Sequence, residues 1–429
     1  MGAKTPWDAI GEELAQGRVP QVIYRSPELW AQEQARIFSR RWLLVAHESE
    51  LPAPGCFVRR RIGGLSVLIV RGKDGQIRGM LNQCVHRGAE LTGYWQGAVR
   101  AFSCPYHGWT YDLDGALIGV PFRERLYAGA ALPNSAHLVR VERYRGFCFA
   151  NLDPEAPPLA EGLGDFRWYL DFWFQPGGME MEVASGPDRW LIATNWKVPS
   201  ENFAGDSYHT LFTHRFAAQG GYLPTSARLH DQGFSVRIPG LGHTANFAYL
   251  ADGAPWPGVP PALAERFEAS YLPEQAALFR RVRTALGNLF PNASIHTTVR
   301  QWEREGPLVR FWTVRTWNPQ SPEQTEVLSW CLVPRQAPDS FKALSVQAYR
   351  LSFGPSGMVE QDDVAVWEGI GRAAADPAGD GLSLSLEMAP KPPLPGGGPG
   401  QPPGEISQGL INEDNARTFL QTWWRCLQG

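Results

Sequence analysis

The sequence predicts an α+β protein, with a small all-β domain placed ahead of a larger domain of mixed strands and helices. Three observations carry this. Short β-prone segments and turn residues crowd the stretch from Trp42 to about Leu152. Beyond it, Leu163–Phe174 has helical spacing with an apolar face, and strand-like and helix-like stretches follow to the end of the chain. The 45 Gly and 36 Pro suit many turns and short strands better than a helical bundle.

Taken in order, Ser26-Pro27-Glu28 opens a helix with a capping Ser and Pro at the first helical position, running to about Arg40. Arg59–Ile62, Leu65–Arg71 and Ile77–Asn82 read as strands, with a hairpin turn at Lys73-Asp74-Gly75. Trp109–Tyr111 and Ala116–Gly119 form a second hairpin, and Tyr144–Asn151 closes the β domain. Later elements include a strand at Leu308–Trp317 and helices at Ala365–Ala374 and Arg417–Leu427, the last with Phe419, Trp423 and Leu427 to pack. The low-complexity stretch 391–404 cannot pack a core and is expected to be mobile or wrapped on the surface. The expected division is 1–40 as a helical segment packing on the larger domain, 41–155 as the β domain and 156–429 as the larger domain.

Charge excludes some functions. With 40 basic and 43 acidic side chains there is no basic excess for a nucleic acid to meet. The first residues lack both the basic and the apolar region of a secretory signal, and the most apolar run, Leu65–Val70, is too short to span a bilayer. A cytoplasmic location without membrane attachment is expected. Of the six Cys, 56, 148, 331 and 426 have no partner at ligand spacing and read as buried or inert thiols.

Cys84 and Cys104 differ, because each has a His close behind it, His86 and His107. A structural zinc finger groups Cys with Cys and His with His. Alternation on two turns instead lets two thiolates hold one iron and two imidazoles the other, the ligation of a Rieske [2Fe–2S] cluster. Neutral imidazoles raise the potential of such a cluster to roughly −150 to +300 mV, against about −400 mV for all-Cys ferredoxins. Gly88 and Gly108 follow the two His as tight turns require. The stretch Asn82–Gly115, with NQCVHRGAEL and FSCPYHGWTYDLDG, resembles the Rieske domain of ring-hydroxylating oxygenase α subunits.

A second constellation follows in Asn195–His214. His209 and His214, at i and i+5, do not share a face of an ideal helix, so they need a helix end or a distortion. Asp206 and His209, three apart, do share one, which lets the carboxylate hold a ligating imidazole. A 2-His-1-carboxylate iron site needs a third ligand. The best distant segment is Gly354–Asp363, where chemistry alone leaves Glu360, Asp362 and Asp363 open.

Together, NWK…EN…GDxYHxxxxH and GPxG…DD resemble the catalytic domain of aromatic-ring-hydroxylating dioxygenase α subunits. The resemblance implies an antiparallel sheet flanked by helices, helix-grip or START-like. It implies one mononuclear Fe(II) held by His209, His214 and Asp363, beside one [2Fe–2S] cluster held by Cys84, His86, Cys104 and His107. Asp206 would accept a hydrogen bond from His209 and reach toward His107 of a neighbouring subunit, and Asn202 would lie near the iron. Phe203, Ser207, Thr210, Phe353 and Val359 would line the substrate pocket. They are mostly apolar or small, which suits a neutral aromatic hydrocarbon better than an acid. A carboxylated aromatic would want a buried Arg, and the sequence does not place Arg280, Arg281 or Arg300.

The implied reaction is cis-dihydroxylation of an aromatic ring with O2 and NAD(P)H-derived electrons. Monooxygenation or demethylation is one alternative, and a non-catalytic Rieske electron carrier is another. Electrons would come through a ferredoxin or reductase, since no GxGxxG lies between a strand and a helix and no NAD or flavin site is expected in this chain. An α3β3 assembly with a small β subunit, or an α3 trimer, is implied by resemblance. Among the other His, 47, 137, 230 and 243 read as structural, while His296 is placed to border the pocket.

Overall fold

The computed structural model describes residues 6–174, 179–220, 232–249, 256–301, 306–379, 381–394 and 402–429. The chain divides into two compact units, Phe38–Leu159 and a second made of Met1–Ile37 with Ala160–Gly429.

The smaller unit is built on a seven-stranded antiparallel sheet. Its order is Leu43–His47, Phe147–Asn151, Leu138–Tyr144, Ile77–Leu81, Leu65–Arg71, Cys56–Ile62 and Gln96–Ala98. Where one closing strand was expected at Tyr144–Asn151, the chain makes a hairpin. Arg145 and Gly146 both take positive φ (50° and 82°), the two-residue turn whose twist matches the flanking strands. A three-stranded sheet of Phe102–Ser103, Thr110–Tyr111 and Leu117–Gly119 carries the second Cys–His loop. Side chains from both sheets, among them Phe57, Leu68, Met80, Phe102, Trp109 and Tyr111, form one core that also buries Cys84 and Cys104. Each large apolar member contributes roughly 1.5–3 kcal/mol by leaving water.

The larger unit is an eight-stranded antiparallel sheet. Its order is Met181–Ile192, Gln324–Pro334, Leu308–Ser321, Ala293–Gln301, Val282–Leu289, Thr244–Tyr249, Gly233–Arg237 and Glu405–Gln408. The long central strands are rich in β-branched and aromatic residues and almost wholly buried. Helix Asp339–Phe353 lies on strand Leu308–Ser321, and helix Lys197–Gly205 lies on strand Val282–Leu289. The closing helix Asp414–Gln428 buries Phe419, Trp423 and Leu427 and packs on Lys197–Gly205. This is the expected α+β class. None of the described helices is long and apolar enough to cross a membrane.

Other boundaries also differ from the sequence reading, among them the helix expected at Ala365–Ala374, which begins at Met358. The helix capped by Ser26, whose Oγ accepts the Leu29 N–H at 3.2 Å, is α-helical only over Pro27–Glu33 and continues as a π-turn at Gln34–Phe38. The expected helix Leu163–Phe174 is broken at Gly164, whose φ of +50° no right-handed helix accepts, leaving helices Leu159–Leu163 and Arg167–Phe174. After the Pro/Gly-rich stretch, of which 395–401 lie outside the described residues, Glu405–Gln408 joins the sheet edge as a strand that was not anticipated. The N-terminal segment is fastened within the larger unit by buried Glu33. Its carboxylate accepts from Lys197 Nζ (2.5 Å), Trp196 Nε1 (2.7 Å) and Trp423 Nε1 (2.8 Å).

Candidate metal centres

In the smaller unit the two Cys–His loops have the same construction. Cys84 N–H donates to Ala89 O and Gly88 N–H to Cys84 O; Cys104 N–H donates to Trp109 O and Gly108 N–H to Cys104 O, all at 2.8–2.9 Å. The turns close because Gly88 and Gly108 sit at φ +77° and +70°, where other side chains are strained. Asn82 braces the first loop: its Oδ1 accepts the Leu91 and Thr92 N–H, and its Nδ2 donates to Ser66 Oγ and Thr92 O. Tyr111 ties the loops together, its hydroxyl 3.2 Å from Cys84 Sγ and accepting the Val85 N–H.

Both thiols are buried, free of disulfides, while both imidazoles lie nearer the surface. The His86 and His107 rings stand 4.7 Å apart, and Trp109 stacks on His86. His86 Nδ1 is buried without a hydrogen-bond partner, an atom aimed at something other than protein. The four donors do not gather around one point. Among the described residues the group of three or more donor atoms lying within 4.8 Å of one another is a different one, His209–His214–Asp363. A single zinc ion would need such a gathering, whereas a two-iron cluster spreads its ligands over two metals. The donor set fits the cluster.

In the larger unit, helix Lys197–Gly205 ends at a glycine with φ +144°, where an added Cβ would meet the Asn415 and Asn246 side chains. The chain then turns, and Asp206 Oδ1 accepts the Tyr208 and His209 N–H. The Asp206–His209 pairing therefore arises across this turn and not along one helical face, a correction to the expected geometry. His209 precedes, and His214 ends, the short helix Thr210–Thr213, which resolves the awkward i, i+5 spacing.

Each imidazole is held at both nitrogens. His209 Nδ1 lies 3.1 Å from Asp206 Oδ2, and His214 Nδ1 lies 3.3 Å from Asp362 Oδ2. Both Nε2 atoms turn toward the same oxygen, Asp363 Oδ1, at 3.5 and 3.2 Å. Asn202 Nδ2 stands 3.3 Å from His209 Nδ1. The three acids left open by sequence have three separate places: Asp363 faces both Nε2 atoms, Asp362 backs His214, and Glu360 makes a fully buried pair with Arg315 at 2.5 Å. Burial alone would lower the His209 pKa, but the Asp206 hydrogen bond and charge, with Asp363 beyond, lift it to about 9. A site so rich in carboxylate favours a cation, and its donor set fits a divalent iron with open positions.

The three residues line a cavity of about 310 Å³, together with Asn202 and Asp206. Phe203, Ser207, Thr210, Phe353 and Val359 all line it too. So does His296, which meets Phe353 edge-on at 4.8 Å. What the sequence reading missed is Arg283, which lines the cavity with Arg300 and the more exposed Arg215. Arg280 instead pairs with Glu268, and Arg281 lies over the Tyr249 ring. His47 and His243 serve the backbone, His243 bridging Gly162 O and the Phe290 N–H; His230 lies outside the described residues. A second hollow of about 270 Å³ reaches Asp206 and His209 and is bordered also by Tyr24, Glu201 and Trp367.

Comparison with known proteins matches residues 41–136 to the Rieske [2Fe-2S] domain and 163–429 to the catalytic domain of the ring-hydroxylating alpha subunit. The chain is 31% identical to the N,N-dimethyl phenylurea N-demethylase subunit alpha of Sphingobium sp. (strain YBL2), over 98% of this chain and 94% of that one. It is likewise 31% identical to the biphenyl 2,3-dioxygenase subunit alpha of Rhodococcus jostii (strain RHA1), over 99% and 93%. The crystal structure of naphthalene 1,2-dioxygenase from Rhodococcus sp. bound to indole superposes with a TM-score of 0.92 at 34% identity, covering 98% of both chains. Twin Cys–His turns in one unit and a two-histidine, one-carboxylate cavity in the other are thus the two halves of one oxidoreductase, and the chain belongs to the catalytic α subunits of the Rieske ring-hydroxylating oxygenases.

Proposed function

We propose that this chain cis-dihydroxylates an aromatic ring, of the mono- or polycyclic hydrocarbon type, using O2 and electrons that originate in NAD(P)H. The observation that carries the reading is a single cavity in which His209, His214 and Asp363 face the apolar side chains of Phe203, Leu286, Phe353 and Val359. Biphenyl 2,3-dioxygenase and naphthalene 1,2-dioxygenase, both similar along nearly the whole chain, support it.

Cys84 and Cys104 would hold one iron of the cluster and His86 and His107 the other; His209, His214 and Asp363 would hold the mononuclear Fe(II). When bound, the cluster stores single electrons and the iron activates dioxygen. The protein's own groups do the rest. Asp206 and Asp362 fix the two imidazoles so that each presents Nε2, and Asn202 stands beside His209 Nδ1. Phe203 and Phe353 orient the ring and keep water away from it. The part-exposed Asp206 carboxylate is the proposed bridge to His107 of the partner subunit, in a head-to-tail trimer. A small β subunit would complete α3β3, a ferredoxin or reductase would supply electrons, and the assembly would work in the cytoplasm.

The demethylase relative favours monooxygenation as the second reading. Reduced protein is given naphthalene or 2-naphthoate with 18O-labelled dioxygen, and the product is analysed by mass. A cis-diol carrying two labelled oxygens is expected; a singly labelled phenol formed with no cis-diol detected under neutral, non-dehydrating work-up would overturn dihydroxylation.

A further inference from the structure

We infer that the ring this cavity receives carries a carboxylate, which Arg283 and Arg300 bind; the inference rests on the assignment of the cavity to substrate and replaces the neutral hydrocarbon with an aromatic acid. Other buried arginines have an ion pair or several hydrogen bonds, although the Arg315 Nε is itself without a partner. Arg315 pairs with Glu360, Arg60 pairs with Glu50, and Arg310 donates to Pro257 O, Val282 O and Thr297 Oγ1. Arg283 and Arg300, two of the three arginines lining the cavity, have fewer partners.

Among the described residues Arg300 donates only through Nη1, to Thr298 Oγ1 at 2.8 Å and Val299 O at 3.0 Å, while its Nε is buried without a partner. Arg283 Nε is also buried without a partner, and among the described residues Arg283 makes no hydrogen bond. Neither arginine has an ion pair among the described residues. Burial, and then the charge of Arg283, hold Arg300 down to about 9. Two like charges close enough to act on each other in a part-buried wall are costly unless an anion completes them.

The cavity's own acids are not that anion, since Asp206 is committed to His209, and Asp363 to both His209 and His214. His296 adds to the same demand. It lies across the strand pair from Leu286, both its ring nitrogens are buried without partners, and burial and then Arg300 hold its pKa well below 6.5. A neutral imidazole there offers one further hydrogen bond. Guanidinium forks match a carboxylate's two oxygens in one plane, and the pair is stronger for being charged. In a cavity of about 310 Å³ that also holds the aromatic wall, ring and carboxylate belong to one small molecule.

The test is binding to the holoenzyme without oxygen, by isothermal titration, of 2-naphthoate against 2-naphthamide and of benzoate against benzamide. Each pair differs in charge and hardly in shape. At least one acid is expected to bind about tenfold or more tighter than its amide. In Arg283→Gln and Arg300→Gln, checked for an unchanged visible cluster spectrum, most of that preference should vanish while amide binding stays within about twofold. Equal binding of acid and amide in both wild-type pairs would overturn the inference without any variant. So would a preference that survives when both arginines are replaced. Because no turnover is read, a singly labelled phenol with no cis-diol in the oxygen experiment would remove dihydroxylation and leave this result standing.

Discussion

The two proposed metal centres are built by opposite means. In the smaller unit, ligands, turns and braces come from one continuous stretch. Cys84 and Cys104 are seated in matching loops whose hydrogen bonds close locally, and Tyr111 locks one loop to the strand that leaves the other. In the larger unit, His209 and His214 come from a turn and a single helical turn after Lys197–Gly205, while Asp363 and Asp362 come from a helix reached through much of the sheet. The first centre is a local motif that needs its core only as a seat. The second exists only when the whole domain is folded, so its ligands need the carboxylates behind them to hold their aim. One centre should therefore fail through its ligands alone, the other in graded steps through its supports.

Loss of a ligand is the largest expected effect, and it should separate the centres cleanly. Wild-type protein is expected to hold about three iron and two labile sulfide per chain, with the EPR signal of a His-ligated cluster in the reduced state. His214→Ala should fall to about two iron, lose turnover and keep the visible cluster spectrum. Cys104→Ser should lose the visible spectrum. If His214→Ala also bleached the protein, the two centres would not be independent and the comparison would fail.

Supports come next. Asp363→Asn should behave as His214→Ala does. Asp362→Asn should keep its iron at an affinity lowered about 10–100-fold, because it frees His214 Nδ1 without removing a ligand. Fe(II) titration against a competing chelator reads both. Equal loss in the two variants would mean that the neighbouring acids share one role and that the geometry separating them is wrong.

The same contrast governs what could be read from the sequence. The Cys–His loops were legible down to their glycines, since donors, turn residues and strand flanks lie within Asn82–Gly115. His209 and His214 were legible as a pair, but the turn joining Asp206 to His209 was taken for a helix, because three-residue spacing fits both. Glu360, Asp362 and Asp363 could not be told apart, since their roles depend on Arg315 and His214, which only packing brings near. Arg283 was invisible for a related reason. Its strand, Val-Arg-Thr-Ala-Leu-Gly-Asn-Leu, has no regular polar–apolar alternation to mark which residues face the cavity.

The smallest expected effect concerns how the larger unit tolerates so much acid around one site. Glu201, on helix Lys197–Gly205, borders the second hollow and accepts a hydrogen bond from Tyr24 Oη at 3.0 Å. Burial raises its carboxyl from 4.5 to about 7; the Tyr24 hydrogen bond opposes this, and the charges of Asp206 and Glu413 add to it. The group therefore holds its proton more tightly folded than unfolded. Its contribution to stability is present below the ordinary carboxyl range and is lost as pH climbs toward 7. Wild type should accordingly lose thermal stability relative to Glu201→Gln between about pH 5 and 7, by a degree or two in Tm, because glutamine cannot ionise beside Asp206. Melting both proteins across that range decides it. A constant difference in Tm would mean that Glu201 is ionised throughout, and that the acid-rich surroundings of this centre are balanced by the bound metal alone.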